Sequence, residues 1–78
     1  MGARLSLRYD REGDTLYIDT CRAYAAQESE ELADDIIARL NPKTREVESL
    51  EVLFFSARFL RDEPLELPVS ADLHTLSK

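Results

Sequence analysis

One cysteine, two glycines, three prolines and no tryptophan show how much this 78-residue chain does without. A lone Cys21 excludes a disulfide-stapled fold and fits a reducing, cytoplasmic setting. Scarce glycine and proline exclude a collagen-like chain. No segment approaches the ~18 consecutive apolar residues of a membrane helix. The opening Met1-Gly2-Ala3-Arg4-Leu5-Ser6-Leu7 alternates where a secretory leader would carry a continuous apolar block. Gly2 followed by Ser6 matches the spacing of a myristoylation signal, a short and common pattern that is read here as chance. Basic side chains are also in the minority, ten against sixteen acids, for a net charge of −6. That balance argues against a phosphate-binding nucleic-acid surface, which needs clustered Lys and Arg, and is compatible with a basic protein partner. What remains is an ordinary 44% hydrophobic content, enough for a globular fold and too much for a disordered one. At this length residues 1–78 form one domain, burying roughly 60–65% of the unfolded surface.

Hydrophobic alternation locates the first elements. Leu5, Leu7 and Tyr9 point one way and Arg4, Ser6 and Arg8 the other, which predicts a half-buried strand over 4–9. Asp10-Arg11-Glu12-Gly13-Asp14 is a turn, with Gly13 expected in the left-handed conformation. Leu16 and Ile18 oppose Tyr17 and Asp19 in a second strand over 15–20, completing a hairpin.

Residues 23–40 support two readings. Leu32, Ile36 and Leu40 recur every four residues behind an acidic front and ahead of Asn41-Pro42, the pattern of a helix over 27–40. The alternative is a weak strand over 23–27, an acidic loop and a strand over 35–40. Asn41–Arg45 is then a hairpin loop leading into a strand over 46–54, with Leu50, Val52 and Phe54 on one face. Phe55–Arg61 reads as a two-turn helix with Phe55 and Phe59 on one side and Arg58 and Arg61 toward its C-terminal end. Leu65, Leu67 and Val69 alternate between two prolines as an edge strand or extended arm, and residues 74–78 read as a frayed end.

Tyr9-Asp10-Arg11-Glu12-Gly13-Asp14-Thr15-Leu16-Tyr17-Ile18 resembles the opening signature of domain-of-unknown-function family 2283. The family shows Tyr-Asp, a few turn residues, then Asp-x-Leu-Tyr-Ile. Asp35–Leu40 and Ser49-Leu50-Glu51-Val52-Leu53 resemble its later strands, with Ser49 where the family favours Gly. The resemblance spans roughly residues 5–62 and implies the strand reading of 35–40. It supplies no activity or catalytic residues, and implies an antitoxin-like pairing with a small basic protein. The expected fold is therefore α+β: a small antiparallel sheet of two consecutive hairpins, four or five strands in all, with one short C-terminal helix.

Each candidate for chemistry has a plainer reading beside it. Asp10, Glu12 and Asp14 crowd three carboxylates into five residues, but a calcium loop of EF-hand type needs glycine at its sixth position and an acid at its twelfth. Here those requirements meet Gly13 at the fourth and Cys21 at the twelfth, so Asp10 is expected to bond its own loop amides. Cys21 and His74 suit a nucleophile and base by type, without any glycine-rich turn to form an oxyanion hole. The plainer reading is a semi-buried thiol and an exposed imidazole. Tyr9 and Tyr17 can be a binding platform or cross-strand packing, with packing favoured. No metal or cofactor is expected.

Two surfaces are expected to carry interactions. Glu28, Glu30, Glu31, Asp34 and Asp35 form the densest charge, a docking face for a basic partner or a solvated loop. Leu53, Phe54, Phe55, Phe59 and Leu60 concentrate more apolar surface than so short a chain easily hides, which predicts a homodimer, with the 64–69 arm able to add a strand to a neighbour. The expected role is a non-enzymatic, cytoplasmic interaction module. The alternatives are a small hydrolase using Asp34 or Asp35 near His74, or a purely structural domain.

Overall fold

The computed structural model describes residues 4–62 and 64–76. The N-terminal hairpin forms as its alternation requires. β1 (Ser6–Asp10) and β2 (Thr15–Asp19) pair antiparallel, with Leu7 opposite Ile18 and Tyr9 opposite Leu16. The turn differs from expectation in one respect. Its left-handed residue is Asp14, at φ 51°, and not Gly13. A Cβ at Gly13 would lie 2.9 Å from the Asp10 carboxylate, so a larger residue there would push that side chain aside. That carboxylate folds back over the turn to accept the Glu12 amide at 3.2 Å, so Asp10 serves its own loop as expected.

The segment over 27–40 is not a helix. β3 (Glu28–Ala33) and β4 (Ile36–Leu40) form a hairpin around Asp34-Asp35, where Asp35 takes φ 63°. The weak strand expected over 23–27 is instead a turn, closed by Gln27 N donating to the Tyr24 carbonyl at 3.1 Å. The acidic stretch expected as a loop is the strand. An edge strand keeps such side chains in water, and Arg45 pairs with two of them, Glu28 and Glu30. After an Asn41 turn, whose side-chain oxygen accepts the Lys43 and Thr44 amides at 2.8 and 3.0 Å, the chain enters β5 (Val47–Leu53).

The sheet order is β1-β2-β5-β4-β3, antiparallel throughout. β5 therefore lies at the centre, between the two hairpins that precede it. Cross-strand partners share a face, so Leu7, Ile18, Leu50, Ala38 and Glu30 form one row, and Tyr9, Leu16, Val52 and Ile36 the next. This is the apolar face. Its buried residues are Ile36, Ala38, Leu40, Leu50 and Val52, all on the two strands β4 and β5.

Phe54, expected beside Leu50 and Val52 on the core face, leaves the strand in a left-handed conformation at φ 53° and is exposed. It turns the chain into α1 (Phe55–Phe59), which ends two residues earlier than the sequence suggests. The segment beyond is neither an edge strand nor an arm free for a neighbour. Leu65, Leu67 and Val69 pack on the core of their own sheet, beside Ile18 and Leu32. Residues 74–76 have no regular structure, and the rest of the end expected to fray, residues 77–78, lies outside the described residues together with Glu63.

Packing sets a stability ranking. Ile36→Ala, at the buried centre, should cost about 2–5 kcal/mol. Leu67→Ala, on the half-buried arm, should cost about 1 kcal/mol. Denaturant unfolding followed by circular dichroism reads both, and an arm variant indistinguishable from wild type would show that the arm adds nothing to the core.

Candidate functional site

The opposite face of the sheet carries the alternate residues. Ser6 and Arg8 of β1, Thr15, Tyr17 and Asp19 of β2, Ser49 and Glu51 of β5 and Arg39 of β4 share it by register. Among the described residues no segment equivalent to the 65–69 arm crosses this polar floor, yet Thr15, Ser49 and Glu51 are buried. Neighbouring side chains cover them and satisfy them. Thr15 Oγ1 donates to the Gly13 carbonyl at 3.0 Å, Ser49 donates its hydroxyl to the Asp19 carboxylate, and Arg39 Nε donates to Glu51 Oε2 at 2.6 Å. Glu51 in turn holds the Arg39 guanidinium protonated beyond its usual range. Arg8 stacks its guanidinium 4.2 Å from the centre of the Tyr17 ring. Ser49, standing where the resemblance implied glycine, thus has a polar partner across the β2–β5 pair.

Above this floor is a concavity of about 710 Å³. The loop Thr20–Ala23 forms one wall, with Cys21 and Arg22, and Arg4 stands at the β1 rim. The loop is held from below by Glu48. That carboxylate accepts Tyr24 Oη at 2.6 Å, Gln27 Nε2 at 2.9 Å and Asn41 Nδ2 at 3.2 Å, while Thr20 Oγ1 donates to the Glu48 carbonyl at 2.8 Å. The Tyr24 bond, ahead of that from Gln27, holds Glu48 below the usual carboxylate range. The same bond pushes the Tyr24 hydroxyl up to about 12.

A second carboxylate joins distant turns at the far end of the sheet. Asp14 accepts Tyr9 Oη at 2.6 Å and Ser56 N at 2.9 Å through one oxygen, and Ser56 Oγ at 2.7 Å through the other. It ties the first hairpin turn to the start of α1. The Tyr9 bond, then those from Ser56, depress Asp14 below the 3.8 of an ordinary aspartate, and Tyr9 is raised in consequence. Asp14 is thus engaged by Tyr9 and Ser56, and Asp10 by the Glu12 amide, so two of the three carboxylates of this turn serve the fold.

The residues singled out from sequence are dispersed. Glu28 and Glu30 point to the apolar side of edge strand β3 and are paired with Arg45, whereas Glu31 points to the polar side. Asp34 and Asp35 occupy the β3–β4 turn, where their carbonyls accept Arg58 Nη2 at 2.6 Å and the Leu53 amide at 2.8 Å. His74 pairs with Asp72 at 3.3 Å on an exposed segment, and neither it nor the two aspartates line the polar-face cavity. Cys21 is exposed where a semi-buried thiol was expected. Of the five apolar residues grouped in the sequence, Leu53 is half-buried and its register puts it on the polar face. Phe55 stacks against both Tyr9 and Phe59, at 5.8 and 6.0 Å between ring centres.

Sequence reasoning passed over Arg4, Arg8, Arg22 and Arg39. They lie on separate segments, and only the β1-β2-β5-β4 register and the curl of the 20–23 loop bring them together. A partial signal existed in Arg4, Ser6 and Arg8, which alternate on the polar side of β1.

Comparison with known proteins agrees with the signature in the first hairpin. Residues 6–56 match the family described as Protein of unknown function (DUF2283), and the chain belongs to that family. Neither a curated protein nor a solved structure matches.

Two outcomes follow from the polar contacts. Glu51 has a side chain only 11% exposed against 38% for Arg39. Arg39→Ala should therefore cost about 1–3 kcal/mol by stranding the carboxylate, and adding Glu51→Gln should recover part of that loss. Denaturation of the single and double variants measures the recovery. Tyr24 titrates near 12 when folded against 10.0 when unfolded, so its contribution is complete below pH 10 and is lost as pH rises toward 12. Tyr24→Phe should show a shallower loss of stability across that window in alkaline unfolding curves.

Proposed function

We propose that this DUF2283 member is a cytoplasmic, non-catalytic interaction module that pairs with a second copy of itself through the uncovered end of its apolar face. One observation carries the reading. The 65–69 arm covers the β4–β5 side, but Leu5, just ahead of β1, and Leu7 and Tyr9 on it remain 50%, 64% and 43% exposed, and Phe59 76%. The Tyr9–Phe55–Phe59 ring contacts continue this exposed apolar side of β1 onto α1. It offers on the order of 500 Å² of apolar surface, at the upper end of what a monomer shows. A two-fold pair would bury about 1,000 Å² of it, close to the ~1,200 Å² where specific interfaces begin, with a polar rim making up the difference. The breadth of the molecule supports the same reading: its radius of gyration is 13.2 Å, against about 11.5 Å for a compact chain of this length.

The two sheet edges differ in a way that selects the β1 side. β3 carries Glu28, Glu30 and Glu31, and a charged edge discourages strand pairing with a like copy. A basic partner, in an antitoxin-like arrangement, would meet Glu31 and Asp34 there. Glu28 and Glu30 are already engaged by Arg45, so that second reading rests on fewer acids than the sequence count implies.

Sedimentation at micromolar concentration should give twice the chain mass. Leu7→Lys and Phe59→Glu should each return it to the single-chain value while leaving the far-ultraviolet circular dichroism unchanged, because both side chains are exposed. A monomeric wild type would refute self-association. A complex captured with a basic protein that survives both substitutions, but is lost on charge reversal at Glu31 and Asp34, would favour the acidic edge instead.

A further inference from the structure

We propose that the cavity on the polar face is a binding site for a small organic phosphate, with Arg4, Arg8, Arg22 and Arg39 as its recognition groups. Four of the ten basic residues of an acidic chain surround this one concavity. Its wall and floor also contain two carboxylates, Asp19 and Glu51, so the lining carries a formal charge of 4 − 2 = +2 in a molecule of −6. Both carboxylates are occupied, Asp19 by the Ser49 hydroxyl and Glu51 by Arg39 Nε. They temper the repulsion among the guanidinium groups without filling the space between them. Such a concentration of positive charge raises the local concentration of an entering anion.

The arginines are held in a manner suited to this task. Arg39 uses Nε on Glu51, which leaves its two terminal nitrogens as donors. Arg8 is held over the Tyr17 ring by a cation–π contact, which engages the charge without spending an N–H donor on another side chain. Two of the four cations are therefore oriented before any ligand arrives, which lowers the entropy lost on binding. Arg4 and Arg22 have no ion-pair partner among the described residues. They stand on the β1 rim and the loop wall, from which they can close on a bound group.

Charge and size define the ligand class. A lining of +2 is matched by the dianion of a phosphate monoester, whereas a carboxylate leaves half of it uncompensated. Guanidinium forks also suit the oxygens of phosphate through paired hydrogen bonds. About 710 Å³ lies within the ~300–1,000 Å³ of small-molecule sites, room for an organic group besides the phosphate itself.

The single thiol provides the assay. Cys21 lies in the cavity wall and is exposed, so an occupant should shield it from the uncharged reagent N-ethylmaleimide. At constant ionic strength, phenyl phosphate should slow Cys21 alkylation several-fold, and acetate should not. Arg4→Ala and Arg22→Ala, both at exposed positions, should raise the half-protecting concentration about tenfold. Arg61→Ala, outside the cavity, should leave it unchanged, and calorimetric titration of phenyl phosphate should follow the same order. Stronger protection by phenyl phosphate than by inorganic phosphate assigns the site to an ester. Inorganic phosphate doing better refutes an organic ligand. No protection at millimolar phenyl phosphate, equal protection by acetate, or protection that persists in both arginine variants overturns the proposal.

Discussion

Everything in this domain hangs on the double pairing of β5. The last strand enters between two hairpins made before it, bonding to β2 on one side and β4 on the other. Without it, each hairpin would have a half-built apolar face and too little partner surface to be stable alone. With it, Leu50 and Val52 complete the core, and the loop acids of distant segments come within reach of their partners. A strand so central buries both of its faces, so Ser49 and Glu51 are as enclosed as the apolar residues between them. Burial of a carboxylate is tolerable only with a partner, and β4 supplies it through Arg39.

Carboxylates elsewhere do the work that glycine-rich turns or disulfides do in other small domains. Asp14 joins the first turn to α1, and Glu48 joins the 20–27 loop to the Asn41 turn. Arg45 draws β3 toward the β4–β5 connection through Glu28 and Glu30. Much of the acidic excess is thus structural and tied to particular donors. The remaining charge is distributed unevenly, with a basic concavity on one face of an otherwise acidic molecule. The apolar face is uneven too: its β4–β5 side is covered by the chain's own arm and its β1 side is not.

The ambiguous segment shows why local pattern was insufficient. Leu32, Ile36 and Leu40 are spaced by four, which would place them on one side of a helix. The same spacing also puts Ile36 and Leu40 on one side of a strand, since four is a multiple of two, with Leu32 on the strand before. Ala38 is fully buried between Ile36 and Leu40, the every-second-residue burial of a strand. The family resemblance favoured that strand correctly but left 28–34 as a loop. Acids are poor strand formers by propensity, and β3 exists because β4 offers it a ladder and Arg45 offsets part of its charge.

By itself the sequence determined the first hairpin, a strand over 46–54 that the structure trims to Val47–Leu53, a short helix after it, and the family, because each depends on alternation or turn chemistry within a few residues. Only the tertiary structure decided which half of the apolar face is covered, since that depends on where the 65–69 segment lands. It also decided the role of Gly13, which answers to the Asp10 carboxylate overhead and not to its own backbone angle. The arginine-lined cavity belongs wholly to that level. Arg4 and Arg39 are thirty-five positions apart, and only the order β1-β2-β5-β4, with every second side chain turned to the same side, makes them neighbours of one space.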